Sequence, residues 1–168
     1  MDGQEDQKHQ AFRRPAFRHD LFFSLRALYA LARLLGLTNR YRFAPGNRRT
    51  EPVDCLSGCF FLGAKTRLFE LGLFDENTFL YGEEAILGEK AHRRGLRSYL
   101  LRSARFHHEV GHTIDSLHTV VQRQRYWLAS TVYFHRRYRG AGWFKVGLLW
   151  LFFGLWRVET GVWRWVMS

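Results

Sequence analysis

Apolar side chains recur along the chain at helical spacing in some segments and in continuous runs in others. Phe22, Leu25, Leu28, Tyr29, Ala32 and Leu35 fall at helical spacing between Asp20, a capping residue type, and Gly36. A helix is expected over about 21–35, with Arg26 and Arg33 on its other face. Residues 38–51 gather Asn39, Pro45, Gly46 and Asn47 among arginines and read as a basic loop. Val53 to Gly63 is dominated by apolar residues and reads as a buried strand. Lys65 to Leu71 forms a short helix closed by Gly72, and residues 73–82 form an aromatic-rich loop. Helix resumes from Glu83 to Gly95, with Glu83, Glu84 and Glu89 ahead of Arg93 and Arg94, the order the helix macrodipole favours. Arg97–Leu101 and Arg105–His107 have the make-up of short strands. A long helix is expected from Thr113 or Ile114 to about Tyr138, ended by Gly140 and Gly142.

The last segment, 142–167, holds an apolar run from Val146 to Trp156 between Lys145 and Arg157. As a helix that run covers about 17 Å, against roughly 30 Å of bilayer hydrocarbon, so it is too short to span one. Trp143, Trp150, Trp156, Trp163 and Trp165 beside basic residues suit a helix lying at headgroup depth on an anionic membrane. The alternatives are a core helix or a contact with a partner protein.

A length of 168 residues suits one domain with a core of its own. The net charge of +11 calls for an anionic partner, and its distribution narrows the choice. Basic and acidic side chains number 10 and 4 over residues 1–50, 8 and 9 over 51–113, and 8 and 2 over 114–168. An acidic middle between basic flanks is not the surface of a nucleic-acid module. Met1 to Gln10 is polar and lacks the apolar stretch of a secretory signal. Cys55 and Cys59, in an extended strand, lie about 13 Å apart, beyond disulfide reach, so reduced thiols in a cytosolic compartment are expected.

Two sets of residues carry candidate chemistry. His108-Glu109-Val110-Gly111-His112 matches the HExxH of zinc peptidases, in which two imidazoles one turn apart hold zinc and the glutamate polarises its water. Against that reading, Asp115 stands where a metzincin-like pattern has glycine, no Met-turn candidate follows, and Gly111 weakens the helix that the motif needs.

The second set is longer. Val53-Asp54-Cys55-Leu56-Ser57-Gly58, Gly72-Leu73-Phe74-Asp75-Glu76, Phe79-Leu80-Tyr81-Gly82-Glu83-Glu84 and Gly95-Leu96-Arg97 occur in order over residues 53–113. Together they resemble the C-terminal half of inverting family 2 glycosyltransferases of the GT-A fold, in the rhamnosyltransferase-like and polysaccharide-assembly branches. The resemblance implies an α/β fold: the C-terminal part of a nucleotide-diphospho-sugar transferase, a few strands flanked by helices, with a helical C-terminal extension.

It also implies roles. Glu84 would be the base that takes the proton of the acceptor hydroxyl, with Glu83 beside it to bind or orient. Ser57, Gly58, Asp75, Glu76 and Tyr81 would contact substrate, Asp75 and Glu76 serving otherwise as a plain turn. His108 would help hold a metal-bound diphosphate. The chain departs from the pattern at three positions: Glu84 stands where the family usually has Asp, Ile86 where it tends to carry the Asp of x-D-L, and Lys90 where Arg is usual.

Family enzymes use Mn²⁺ or Mg²⁺ held by a D-x-D motif, and no D-x-D occurs in these residues. The expected organisation is therefore an N-terminal helix and basic loop over 1–52, left from or linking to a donor-binding half. An acceptor and catalytic-base part follows over 53–113, and a helical, Trp-rich tail over 114–168. The function implied is transfer of a sugar from a nucleotide donor to a glycan or lipid-linked acceptor on the cytoplasmic face of the cell membrane, with a separate donor-binding chain as a further partner and no nucleic acid. The alternatives are a catalytically inactive fragment that docks on membrane or a partner, and a zinc peptidase.

Overall fold

The computed structural model describes residues 11–41, 43, 49–104 and 116–166, with side chains through residue 161. Those residues form a mixed α/β structure of six helices and two small antiparallel sheets.

The N-terminal helix is broken in two. α1 spans Phe17–Ser24 and α2 spans Arg26–Leu34, separated by Leu25 in an extended conformation (φ −120°, ψ 134°). Helical spacing continues across the break, so the pattern over 21–35 did not reveal it. What makes it tolerable is a long-range cap: the Glu159 carboxylate accepts from the Arg26 and Ala27 N–H groups at 3.1 and 3.4 Å. These are donors that a new helix start leaves unpaired. Asp20 is not an N-cap, because α1 begins three residues earlier; its carboxylate meets His135 instead.

β1 (Ala11–Phe12) pairs with β3 (Cys55–Leu56), and β2 (Thr50–Val53) pairs with β4 (Ser98–Leu101). The expected strand over 53–63 is therefore two short strands hinged at Asp54, and it ends at Leu56. Asp54 is held at the hinge from both sides, its N–H donating to Tyr41 Oη and its carboxylate accepting from Arg14 N. Beyond Leu56 the chain turns so that Gly58 faces a helix. The expected strand over 105–107 lies outside the described residues.

α3 (Lys65–Glu70) and α4 (Glu83–Arg93) match their expected spans. α5 spans Val120–Arg139, opened by a reciprocal cap between Thr119 and Gln122 and closed by left-handed Gly140. α6 spans Trp143–Val166. Its residues Val146, Leu149, Phe153 and Trp156 are buried, at the three- and four-residue steps of one helix face. Leu149, Phe153 and Trp156 pack with Leu128 of α5 and with Phe17, Leu21 and Leu25. Trp156 is thus a core residue, which corrects its assignment to a membrane interface. Trp143, Phe144, Trp150, Leu151, Leu155 and Val158 remain exposed on the other side. Among the described residues no helix is long and apolar enough to cross a membrane.

α4 is seated on β3 at Gly88, where a Cβ would lie 2.5 Å from Cys55 Sγ and 2.8 Å from the Asp54 carbonyl oxygen. On the same helix Ile86 is 1% exposed and joins Ala85 and Phe134 in a second core cluster. An aspartate at 86 would be buried there, which gives a packing reason for the apolar residue. Lys90 donates to the Gly72 and Leu73 carbonyls, tying α4 to the end of α3. Glu89, 4% exposed, meets Arg14 at 3.4 Å, Arg93 at 3.1 Å and Arg139 at 3.2 Å. It joins the N-terminal segment, α4 and α5, a larger task than complementing a helix dipole. Contacts thus cross the expected boundaries near residues 52 and 113: β1 pairs with β3, α1 packs on α6, and α4 packs on α5.

Candidate active site

The first turn of α4 is clamped on both sides. Tyr81 (φ 68°) and Gly82 (φ 88°) adopt successive left-handed conformations, turning the aromatic loop sharply into the helix. A Cβ on Gly82 would lie 3.2 Å from the Ser130 side chain of α5, and Ser130 Oγ donates to the Leu80 carbonyl at 3.0 Å. On the opposite side Gly58 N donates to Glu84 Oε1 at 2.9 Å.

A β-carbon at Gly58 would stand 2.6 Å from that same carboxylate oxygen, so glycine is required for the approach. The neighbour here is the end of a flexible side chain, not backbone. Gly58→Ala is expected to displace the Glu84 carboxylate and remove its N–H partner at modest cost in stability. The expected signature is a reduction of at least tenfold in whatever activity depends on Glu84, with a melting temperature within a few degrees of the parent, measured by assay and thermal scan on the same preparation.

Glu84 is half-buried and stands between two cavities. The first, about 360 Å³, lies between α1–α2 and the α4–α5 pair and is also lined by Ser57, Tyr81, Asp20 and Trp127. The second, about 350 Å³, lies among α3, α4 and β4, with Leu68, Phe74 and Arg97 in its wall. Burial, then the charge of neighbouring Glu83, pushes the Glu84 carboxyl above its ordinary value, outweighing the stabilising hydrogen bonds from its own N–H and from Gly58. Such a carboxylate is a stronger base than one in water. Oε1 is engaged by Gly58, and the Glu84 N–H also donates to the carboxylate.

The structure brings Glu84, Ser57, Gly58 and Tyr81 together and gives Asp75 different company. The Asp75 carboxylate accepts from Tyr133 Oη at 2.9 Å, from Tyr138 Oη, and from Asn77 N and Nδ2. Burial opposes its ionisation, but the hydrogen bonds from Tyr138, Asn77 and Tyr133 prevail and hold the carboxyl well below the usual carboxylate range. Asp75 therefore locks the aromatic loop onto α5. Neither Asp75 nor Glu76 lines either cavity, and Glu76 is exposed. Glu83 acts on Glu84 by charge and lines neither cavity. Tyr81 and Ser57 face the first cavity only.

His108, and with it Glu109 and His112 of the HExxH pattern, lies outside the described residues. Among the described residues no three His, Cys, Asp or Glu side chains gather as a metal-binding group. The Mn²⁺ or Mg²⁺ implied by the family resemblance finds no donor set among those residues. Both cysteines are free: Cys59 is exposed, and burial pushes the Cys55 thiol up to about 12. Cys55 is thus a packing residue and not a nucleophile.

Sequence reasoning missed Asp20 as a residue of the first cavity and His135 behind it. Asp20 lines the cavity, and His135, 2% exposed and outside the lining, meets its carboxylate at 2.6 Å. The two are 115 positions apart, and no local pattern signals the pair. No protein-family model, curated protein or solved structure matches the chain.

Proposed function

We propose that this chain is the acceptor-binding and catalytic-base part of an inverting, nucleotide-sugar-dependent glycosyltransferase of the GT-A type, acting on a glycan or lipid-linked acceptor. One observation carries the reading: a carboxylate of raised basicity, Glu84, is held by the Gly58 N–H at the wall of a cavity able to admit a small ligand. Glu84 accepts the proton of an acceptor hydroxyl while that oxygen attacks the anomeric carbon and the nucleotide diphosphate departs from the opposite face. Burial, and after it the charge of Glu83, keeps the Glu84 pKa high. Gly58 fixes the carboxylate, and Ser57 and Tyr81 bound the space where the alcohol sits.

The donor is gripped by a nucleotide-binding half, on the same polypeptide or on a separate chain, that supplies the metal site. The test is a panel of nucleotide sugars offered to the chain, alone and with a donor-binding partner, with the anomeric configuration of any product read by NMR. Transfer with inversion supports the reading. Retention of configuration, or no transfer or donor hydrolysis under either condition, contradicts it.

A second reading, compatible with the first, is attachment to the cytoplasmic face of an anionic membrane. It is favoured by the exposed row of Trp143, Phe144, Trp150, Leu151, Leu155 and Val158 on α6. Cations flank that row, with Arg136 lying 4.0 Å over the Trp143 ring and Lys145 and Arg157 on the same helix. Because α6 also supplies core residues, the test substitutes side chains and leaves the helix in place. The full chain is expected to sediment with phosphatidylglycerol vesicles and not with phosphatidylcholine ones. The combined Phe144→Gln, Trp150→Gln, Leu151→Gln variant should lose most of that binding. Equal sedimentation of parent and variant would refute the attachment.

A further inference from the structure

Three rings line one side of the Glu84 cavity. Phe23 packs against Tyr29 with ring centroids 5.3 Å apart and against Trp127 at 5.7 Å, and all three residues face the cavity. From α1, Asp20 adds a second carboxylate to the lining. That carboxylate does not move freely. His135 is 2% exposed, meets Asp20 Oδ2 at 2.6 Å, and has Phe17 packed edge-on at 5.4 Å.

The cavity lining thus holds two acidic residues, Asp20 and Glu84, two basic ones, His19 and Arg40, and an aromatic wall. An alkyl chain filling it would strip water from both carboxylates and return no hydrogen bond to either, a cost that apolar contact does not offset. A pyranose ring meets both demands, because its C–H face lies flat on aromatic rings while its equatorial hydroxyls donate to carboxylate oxygens.

We propose that Asp20, oriented by His135, is a specificity-determining residue that accepts hydroxyl protons from a saccharide laid against the Phe23–Tyr29–Trp127 wall. The acceptor end in this cavity is therefore a sugar ring and not a lipid chain. As a statement about the acceptor this rests on the glycosyltransferase reading. As a statement about binding it can be tested without turnover.

The experiment is ligand-detected saturation-transfer NMR on the full chain with methyl pyranosides of gluco, galacto, manno and rhamno configuration, and with cyclohexanol as an apolar ring of similar size. At least one pyranoside is expected to bind and cyclohexanol to bind much more weakly. Asp20→Asn, which preserves shape, should weaken pyranoside binding about tenfold or more. Phe23→Ala, at a residue 47% exposed, should weaken it independently of the Asp20–His135 pair.

The proposal is overturned if no pyranoside binds, if cyclohexanol binds as well as the sugars, or if a folded Asp20→Asn binds like the parent. If Asp20→Asn does not fold, an undiminished affinity in Phe23→Ala overturns it, and a weakened one together with rejection of cyclohexanol supports it. Sugar binding that depends on Asp20 while no donor is ever consumed would sink the transferase reading and leave this one standing. Transfer lost in Glu84→Gln with pyranoside binding unaffected by Asp20→Asn would do the reverse.

Discussion

Glu84→Gln is expected to reduce transfer by about 10²–10⁴-fold and, in the same protein, to raise the melting temperature at neutral pH. The two effects share one cause. Glu84 is harder to ionise in the folded chain than its ordinary value of 4.5 would imply, because it is buried beside Glu83. A carboxyl of raised pKa binds its proton more tightly in the folded state, so the fold is penalised wherever the group is ionised. The penalty is absent below the unfolded value, grows as pH rises through it, and is complete above the raised folded value. Neutral glutamine has the same shape, keeps an oxygen for the Gly58 N–H and does not carry the penalty. Thermal scans of parent and variant should therefore coincide at about pH 4 and separate, with the variant higher, by pH 7. A variant less stable than the parent at pH 7 would mean that the carboxylate is a structural partner and not a group held at some cost for chemistry.

Glu89→Ala, five residues along the same helix, is expected to act in the opposite way. It removes the acid that Arg14, Arg93 and Arg139 share, and Arg14 Nε is already buried without a hydrogen-bond partner among the described residues. Breaking a buried pair by deleting one partner typically costs about 3–5 kcal/mol, and the value here should fall near the lower end because the arginines are partly exposed. Urea denaturation is expected to show that loss with an unchanged slope, since the surface exposed on unfolding is the same. Two glutamates on one helix, one destabilising and one indispensable, separate the site from its scaffold. A stability change below about 1 kcal/mol for Glu89→Ala would remove the cluster from the account of how the N-terminal segment is held.

The helices were legible where local chemistry alone sets them. α3, α4 and the end of α5 follow from glycines at 72, 95 and 140, all of which take positive φ. The break between α1 and α2 was not legible, since its cap comes from Glu159, 133 positions away. Nor was the early end of the strand at Leu56. Residues 59–62 are as apolar as a strand requires, and they leave it because Ser57 and Gly58 must turn toward Glu84.

For the site, the sequence pointed to Glu84, Ser57 and Tyr81, which the fold brings to one cavity wall, and to Gly58, which holds the Glu84 carboxylate from beside it. It gave Asp75 two readings, substrate contact and turn. Only the tyrosines at 133 and 138, donated by a helix far along the chain, show which loop bonds it makes. Asp20 read as a helix cap because nothing near it in sequence hints at His135. In each of these cases the deciding contact is long-range, which no periodicity can carry.

The pH dependence of kcat/KM for sugar transfer tests most directly whether Glu84 is the base. The account predicts that activity falls as pH drops through a value above the ordinary 4.5 of a glutamate, and that Glu84→Gln abolishes this acidic limb along with the rate. An acidic limb at the ordinary carboxyl value, or one that persists unchanged in Glu84→Gln, would contradict it.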